Sequence, residues 1–283
     1  MRELEVLEAG ALTTVQDFGR PGYAHLGVPR SGALDWAAHR LANRLVGNPE
    51  DAATLETTMS GVCLRVEEAV SLAVGGAPCL VSVEQRERPW GELLSVPAGA
   101  QVRVGPAISG VRSYVAVAGG IDVEPVLGSR ATDRLTGLGP PSVRSGDRLR
   151  IGVPVGEPAA IDAPATFRPV HTVRLRLGPR DDWFEPASVG SIDGRTYVVG
   201  SESNRIGLRL VGEPLERSRT EELPSEGMVL GAVQVLSNGH LVVLLADHPT
   251  TGGYPVVGVV EPADLDGCGQ LRSGERVTLR LVG

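Results

Sequence analysis

Along this chain the hydrophobic positions fall into two kinds of pattern. Between residues 31 and 59, Leu34, Ala37, Ala38, Leu41, Leu45 and Val46 recur at the i, i+3, i+4, i+7 spacing of one helix face. Ser31 stands where an N-cap is wanted and Gly47 where a left-handed C-terminal residue is wanted. Asn48-Pro49-Glu50-Asp51 then reads as the start of a second helix: a capping amide, a first-turn proline and two acids at the positive end of the dipole. The pattern predicts a helix pair packed on a sheet.

Nearly everything else reads as strand. The N-terminal Arg2-Glu3-Leu4-Glu5 opens an alternating pattern. Val62–Val66, Val70–Val74, Cys79–Val83, Gln101–Val104, Arg112–Ala118, Val173–Leu177, Thr196–Val199, Leu241–Ala246 and Val277–Leu281 are short, aliphatic and bounded by Gly, Pro or Ser. Strands joined by short turns predict a mainly β protein, a barrel or sandwich, rather than alternating β/α units. An internal echo divides it: Val143-Arg144-Ser145-Gly146-Asp147-Arg148-Leu149 resembles Leu271-Arg272-Ser273-Gly274-Glu275-Arg276-Val277. Each reads as a Ser-Gly turn that feeds a closing strand. Gly152–Pro169, rich in Pro, Ala and Gly without periodicity, reads as a linker. The expected lobes are therefore 1–160, with the helix pair, and 161–283.

Composition sharpens this picture in three ways. With 37 Gly, 21 Pro and only 4% aromatics, the 283 residues suit tight turns between aliphatic strands. A net charge of −7 disfavours phosphate backbones, so no nucleic-acid partner is expected. All 27 basic side chains are arginine. Without lysine the chain can carry no Walker A loop, no Schiff base and no biotin attachment. No apolar run approaches the roughly 20 residues that span a bilayer, and the polar N-terminus does not read as a signal peptide. Cys63, Cys79 and Cys268 lie in apolar company at uneven spacing, which reads as buried thiols in a reducing compartment; a cytoplasmic location is expected.

Polar chemistry gathers in two glycine-flanked segments. In Thr13–Gly22, Gln16, Asp17 and Arg20 bring an amide, a carboxylate and a guanidinium together, either as a binding loop or as an Asp17–Arg20 pair that merely holds the loop. In Asp247–Tyr254 an aliphatic strand delivers Asp247 and His248 to its end, followed by Thr250, Thr251 and Gly252-Gly253. Asp247 suits a general base or an orienting group for a polarised amide, with the threonines as hydrogen-bond donors; an Asx-type turn closing a hairpin fits the same residues. Ser203–Leu210, with Asn204 and Arg205, and Leu223–Met228, with Glu226 and then Gln234, read as supporting walls. Arg112 and Tyr114 point to one side of one strand, where a cation and a phenol could meet an anion. Nucleophile-elbow, zinc-protease, Cys-x-x-Cys and dinucleotide-binding signatures are missing, and the five histidines are scattered, so no metal site is predicted.

Taken in order, Thr14–Gly22, Gly27–Asp35, Ser203–Gly207, Ser225–Gly227 and Asp247–Tyr254 resemble the C subunit of bacterial 5-oxoprolinase. That family is similar to the antagonist subunit of the Kip kinase-inhibitor pair, has carried the label allophanate hydrolase subunit 2, and looks like one half of the carboxyltransferase region of urea amidolyase. The resemblance implies two cyclophilin-like β-barrel lobes. It implies a B subunit as partner in a hetero-oligomer, a further A subunit, and ATP-dependent opening of the 5-oxoproline lactam to glutamate by the complex. Regulatory binding of a kinase-inhibitor protein, or allophanate and urea-type amide processing, are the alternatives. Carried over residue by residue, the resemblance implies Asp247 and Asn204 as catalytic residues. Thr250, Thr251 and Tyr254 would line a small amide pocket, Gln16, Asp17 and Arg20 would shape a facing wall, and Arg205 and Glu226 would supply balancing charge.

Overall fold

The computed structural model describes residues 2–158, 166–219 and 221–283. The chain forms two compact units, one of Met1–Arg20 with Ser31–Arg168, the other of Pro21–Arg30 with Pro169–Gly283. The boundary expected near residue 160 lies outside the described residues.

The first unit is a sandwich of two antiparallel sheets. One has six strands in the order Arg148–Arg150, Glu3–Glu8, Val62–Val66, Gln101–Ala107, Cys79–Val83, Arg86–Arg88. The other has five, in the order Thr13–Gln16, Thr54–Thr58, Arg112–Val117, Val70–Gly76, Leu93–Val96. Alternation decides which side chains enter the core. Leu4 and Val6 are fully buried between the sheets while Glu5 turns outward to Arg65 at 2.8 Å. The five-stranded sheet is covered on both faces, so its central strand Arg112–Val117 is buried throughout. Val115 and Val117 face the sandwich core; Tyr114 and Ala116 face the other way, onto a helix.

That helix is Trp36–Leu45, and it lays Ala38, Ala42 and Leu45 on Ala73, Tyr114 and Ala116. The periodicity found this helix but began it too early: Leu34, read as a face position, precedes it, and its cap is Asp35, whose Oδ1 accepts from the Ala38 amide at 2.9 Å. Ser31 sits further back, with φ 56, outside the helix. The second helix of the expected pair does not form. The Ala52 amide closes a turn on Pro49 O at 3.1 Å, and the chain enters the strand Thr54–Thr58. Asn48 is not a cap: its side chain donates to Asn43 Oδ1 and Val117 O and accepts from the Gly119 amide. The physical reason lies in the β-branched threonines at 54, 57 and 58 and in Leu55, which the sandwich core needs on a strand paired on both sides.

The second unit is a closed barrel of seven strands: Thr172–Leu177, Val256–Val260, Ala232–Val235, Leu241–Leu244, Gly207–Val211, Thr196–Val199 and Arg276–Val282, which pairs in parallel with the first. Leu175, Tyr197, Val199, Leu210, Val233, Val243, Val257 and Leu279 are buried almost completely. Short helices, Pro186–Gly190 and Pro262–Cys268, lie between strands.

The sequence echo is a real structural repeat. In both copies the glycine takes a left-handed turn conformation, at φ 91 for Gly146 and φ 86 for Gly274. The acid that follows caps it: Asp147 Oδ2 accepts from the Arg144 amide at 2.7 Å, and Glu275 Oε2 from the Arg272 amide at 2.8 Å. Both turns feed a strand of their own unit. Cys63, Cys79 and Cys268 are buried free thiols, and burial pushes Cys79 up to about 11 and Cys268 up to about 12. Among the described residues no helix is long and apolar enough to cross a membrane, and no cluster of His, Cys, Asp and Glu could hold a metal ion.

Candidate functional site

In the first unit the candidate residues lie at the end of the strand Thr13–Gln16. One edge of this strand pairs with Thr54–Thr58. Along its other edge runs the segment 129–143, where the Thr132 amide donates to Val15 O at 2.8 Å and the Val143 amide to Thr13 O at 2.9 Å. Asp17 fastens that segment: its carboxylate accepts from Ser129 Oγ at 2.7 Å, the Arg130 amide at 2.6 Å and, on its own turn, the Gly19 amide at 2.7 Å. Arg20, fully buried, reaches the carbonyls of Val126 and Ala131. Both residues hold the loop through segment 126–131 rather than through a pair with each other. Gln16 Nε2 donates to Thr14 Oγ1 at 3.0 Å and Thr132 O at 3.1 Å. The turn at Gly139 crosses directly over this cluster. It has φ 78, and a Cβ there would stand 2.1 Å from Ala131 O and 3.1 Å from Arg20 Nη2, so only glycine fits.

Behind the loop lies a buried polar network. Glu56 Oε2 accepts from Tyr114 Oη at 2.8 Å and from the Leu34 amide at 3.1 Å, while Arg112 Nε stands 3.5 Å from Glu56 Oε1. Tyr114 Oη in turn accepts from the Asp35 amide at 2.8 Å. The cation, phenol and anion that the strand pattern could bring together therefore do meet, in the core rather than at the surface. Desolvation first, then the Glu56 charge, raises the Tyr114 phenol well above its ordinary value. Phe18 and Trp36 stack at 5.0 Å, with the Arg40 guanidinium over both rings.

His39 is fully buried between Thr54 Oγ1, 3.0 Å from Nδ1, and Asn43 Nδ2, 3.2 Å from Nε2. Because Asn43 Nδ2 also donates to Ala52 O, Nε2 of His39 is the acceptor and Nδ1 carries the proton, which is the neutral ring. Burial lowers its pKa to about 4. The unfolded chain binds this proton near pH 6.5 and the folded chain does not, so stability rises with pH across that window. We expect a loss of roughly 2–3 kcal/mol attributable to His39 between pH 7 and pH 4.5. Denaturant titrations at the two pH values, compared with His39→Gln, measure it; equal pH dependence in the variant would refute it.

In the second unit the strand Leu241–Leu244 carries the chain to Asp247 beside Arg205, which precedes the neighbouring strand Gly207–Val211. The Asp247 amide donates to Arg205 O at 3.0 Å. The side chains then form a bidentate pair, Arg205 Nε to Oδ2 at 2.8 Å and Nη2 to Oδ1 at 2.9 Å, with side-chain exposures of 4% and 0%. A general base needs a lone pair aimed at the proton it takes. Each Asp247 oxygen accepts from the Arg205 guanidinium.

Asn204 is exposed, and its Oδ1 accepts from the Ile206 amide at 2.8 Å, closing the turn that presents Arg205. Glu226 is clasped by the Arg180 guanidinium, and its backbone pairs with Gly252. Thr250 is half-buried, its carbonyl accepting from the Met228 amide; Thr251 and Tyr254 are exposed. His248 closes on Pro249 O, and burial lowers its pKa. The structure thus joins Arg205 to Asp247, and separately Glu226 to Arg180 and to the Thr251–Gly252 strand, while Asn204 stands on the turn before Arg205.

The carboxyltransferase domain family, subdomains A and B, matches residues 26–281. The chain belongs to that family. The C subunit of Escherichia coli 5-oxoprolinase is 37% identical over 97% of this chain and 89% of its own length. Urea amidolyase of Lachancea kluyveri is 31% identical over 96% of this chain, which spans only 16% of that much longer protein. The crystal structure of Kluyveromyces lactis urea amidolyase superposes with a TM-score of 0.92 at 29% identity, over 99% of this chain and 19% of that one. The resemblance read from the separated polar motifs thus holds across the length of the chain.

Among the polar residues of this carboxyltransferase-family chain, motif reading passed over Glu56, His39, Ser129 and Thr132. A signal for the last two was present in the polar run Ser129-Arg130-Ala131-Thr132-Asp133 between Gly128 and Gly137. For Glu56 there was none, since the surrounding threonines carried no hint of a buried carboxylate.

Proposed function

We propose that this chain is a subunit of an ATP-dependent 5-oxoprolinase, acting with a B subunit and an A subunit to open the lactam of 5-oxoproline to glutamate. The observation that carries this reading is the nearly full-length correspondence with the C subunit of a 5-oxoprolinase, against a sixth of the length of a urea amidolyase. An amide carbon is a poor electrophile, and phosphorylating its oxygen makes the C–N bond cleavable by water. The chain has no lysine and no P-loop pattern, so in this reading nucleotide is held elsewhere in the complex. This subunit supplies substrate recognition: Asn204, Thr250, Thr251 and Tyr254 offer amide, hydroxyl and phenol groups on the second unit. The Arg205–Asp247 pair fixes the turn that carries Asn204, and Gln16, Asp17 and Arg20 shape the site of the first unit.

The test is ATP-dependent glutamate release by the chain co-purified with its B subunit and supplemented with the A subunit. Turnover is expected to require this chain. Asn204→Ala, an exposed change, is expected to lower kcat/KM by on the order of 100-fold if its amide polarises the lactam oxygen. Full turnover without this chain, or turnover on urea but not on 5-oxoproline, would overturn the reading. The second outcome would favour urea-type amide processing, to which the fold likeness with urea amidolyase lends support.

A further inference from the structure

An open sheet ends in strands whose outer main-chain groups must be covered, or made unattractive to another strand. In the first unit these edges are treated differently. Thr13–Gln16 is covered by segment 129–143, through the Thr132 and Val143 amides. Arg86–Arg88 and Arg148–Arg150 end the six-stranded sheet, and both are charged: Arg86, Glu87 and Arg88 are all exposed, and Arg148 pairs with Glu3 and Glu67. Leu93–Val96, at the other end of the five-stranded sheet, has neither protection. It reads Leu-Leu-Ser-Val, without a charge, and among the described residues no strand pairs with its outer side.

Register decides which groups this edge leaves over. The Ala118 amide donates to Ser71 O, and the Gly91 amide to Val74 O. Along Val70–Gly76, therefore, Ser71 and Ala73 direct their main-chain groups to Arg112–Val117, while Val70, Leu72 and Val74 direct theirs to Leu93–Val96. Leu72 faces Leu94 and Val70 faces Val96, so Leu94 and Val96 are the bonded residues. The amides and carbonyls of Leu93 and Ser95 point out of the sheet. Side chains alternate too: Leu94 and Val96 enter the sandwich core. Leu93 and Ser95 project on the other face, Leu93 beside Ala73, which packs under the helix. Leu93 is 39% exposed. At Ser95 opens a cleft of about 670 Å³, with Ser71, Val46, Val96, Ala118 and Pro154 in its lining.

We propose that this edge pairs with the same edge of a second copy of the chain, antiparallel about a two-fold axis at Leu94. Leu93 of each copy then exchanges both main-chain hydrogen bonds with Ser95 of the other, which satisfies the groups the edge leaves over. Residues opposed across such a pair carry their side chains on one face, with Cβ atoms roughly 5 Å apart. The exposed Leu93 of one copy thereby arrives beside Ser95 of the other, at its largely apolar cleft. A two-fold contact needs a surface complementary to itself. A large apolar residue and a small one at a cleft, spaced two apart on an open edge, meet that need. Charge selects this edge against the others. A two-fold at Arg86–Arg88 would set Glu87 on Glu87 and Arg86 on Arg88, like charges directly opposed. Within Leu93–Val96 no charges are opposed, so the net charge of −7 on each copy acts only at longer range, where salt screens it.

The test is sedimentation of the full chain at rising concentration, with amide-resolved hydrogen exchange on the same samples. A monomer–dimer equilibrium with a dissociation constant below about 100 µM is expected. It should tighten as added salt screens the net charge. Exchange should slow with concentration at the Leu93 and Ser95 amides. Leu93→Lys is expected to weaken the dimer at least about 10-fold. Ser95→Pro removes an outward donor without touching the bonds to Val70–Gly76, and should weaken it as much. Leu80→Lys, at another exposed leucine, should leave the dimer unchanged. A chain that stays monomeric up to about 500 µM would overturn the pairing. So would a dimer dispersed as readily by Leu80→Lys as by Leu93→Lys. Exchange at Leu93 and Ser95 that slows only when the B subunit is added would overturn it too, and would assign the edge to that subunit.

Discussion

Asp247→Ala is expected to destabilise the C-terminal barrel by about 3–5 kcal/mol, because it leaves the Arg205 guanidinium buried without its carboxylate. The pair is bidentate and sealed from solvent, so neither charge can recover its hydration by a side-chain rotation. Asp247→Asn keeps the shape and one acceptor and is expected to lose less. The double variant with Arg205→Met, which removes both charges, should recover much of the loss. Hydrogen exchange read at the barrel strands measures this unit by itself, which a single global midpoint of a two-unit chain would not. Equal exchange in Asp247→Ala and wild type would show that the pair contributes nothing to the barrel. The result also governs how activity is read. A turnover loss in Asp247→Ala counts as catalytic only if Asp247→Asn, folded as wild type, loses turnover too.

In the first unit the corresponding change is Glu56→Ala, with an expected cost of roughly 3–5 kcal/mol. One carboxylate serves the Tyr114 hydroxyl, the Leu34 amide and the neighbouring Arg112 cation. Its removal leaves two donors without their acceptor and the buried Arg112 cation without this neighbouring carboxylate. Glu56→Gln retains an acceptor for Tyr114 and is expected to fall between, and Tyr114→Phe to lose about 1 kcal/mol. Because the network holds the backbone at Leu34 and Asp35, exchange in Glu56→Ala should rise first at residues 31–39. A uniform rise across the sandwich, with no priority at those residues, would deny the network its role in setting the loop.

The sequence carried more of the fold than of the site. Val62–Val66, Cys79–Val83 and Thr196–Val199 are strands with the bounds read from their aliphatic runs, since a period-two pattern flanked by turn formers admits few other structures. The helix after residue 31 was plain from its period, although its start at Trp36 was not. Asn48–Asp51 misled because capping residues also make turns, and local propensity was overridden by the core's demand for Leu55 on a doubly paired strand. In the site, Arg205, Glu226 and Asp247 were visible as residue types. Their partners were not, because hydrogen bonding between distant segments leaves no local periodicity.

By itself, then, the sequence determined a mainly β chain with one amphipathic helix, a repeated Ser-Gly turn closing each half, the exclusion of lysine chemistry, and membership in the family through ordered polar motifs. These follow from composition, short-range pattern and turn stereochemistry, all of which are local. The tertiary structure alone decided that one unit closes into a barrel while the other stacks two sheets. It decided that Asp247 faces Arg205, that Glu56 gathers Tyr114 and Arg112, and that Thr132 meets Gln16. Those are consequences of strand order and packing, which bring together residues far apart in the chain and set which charges must share a buried space.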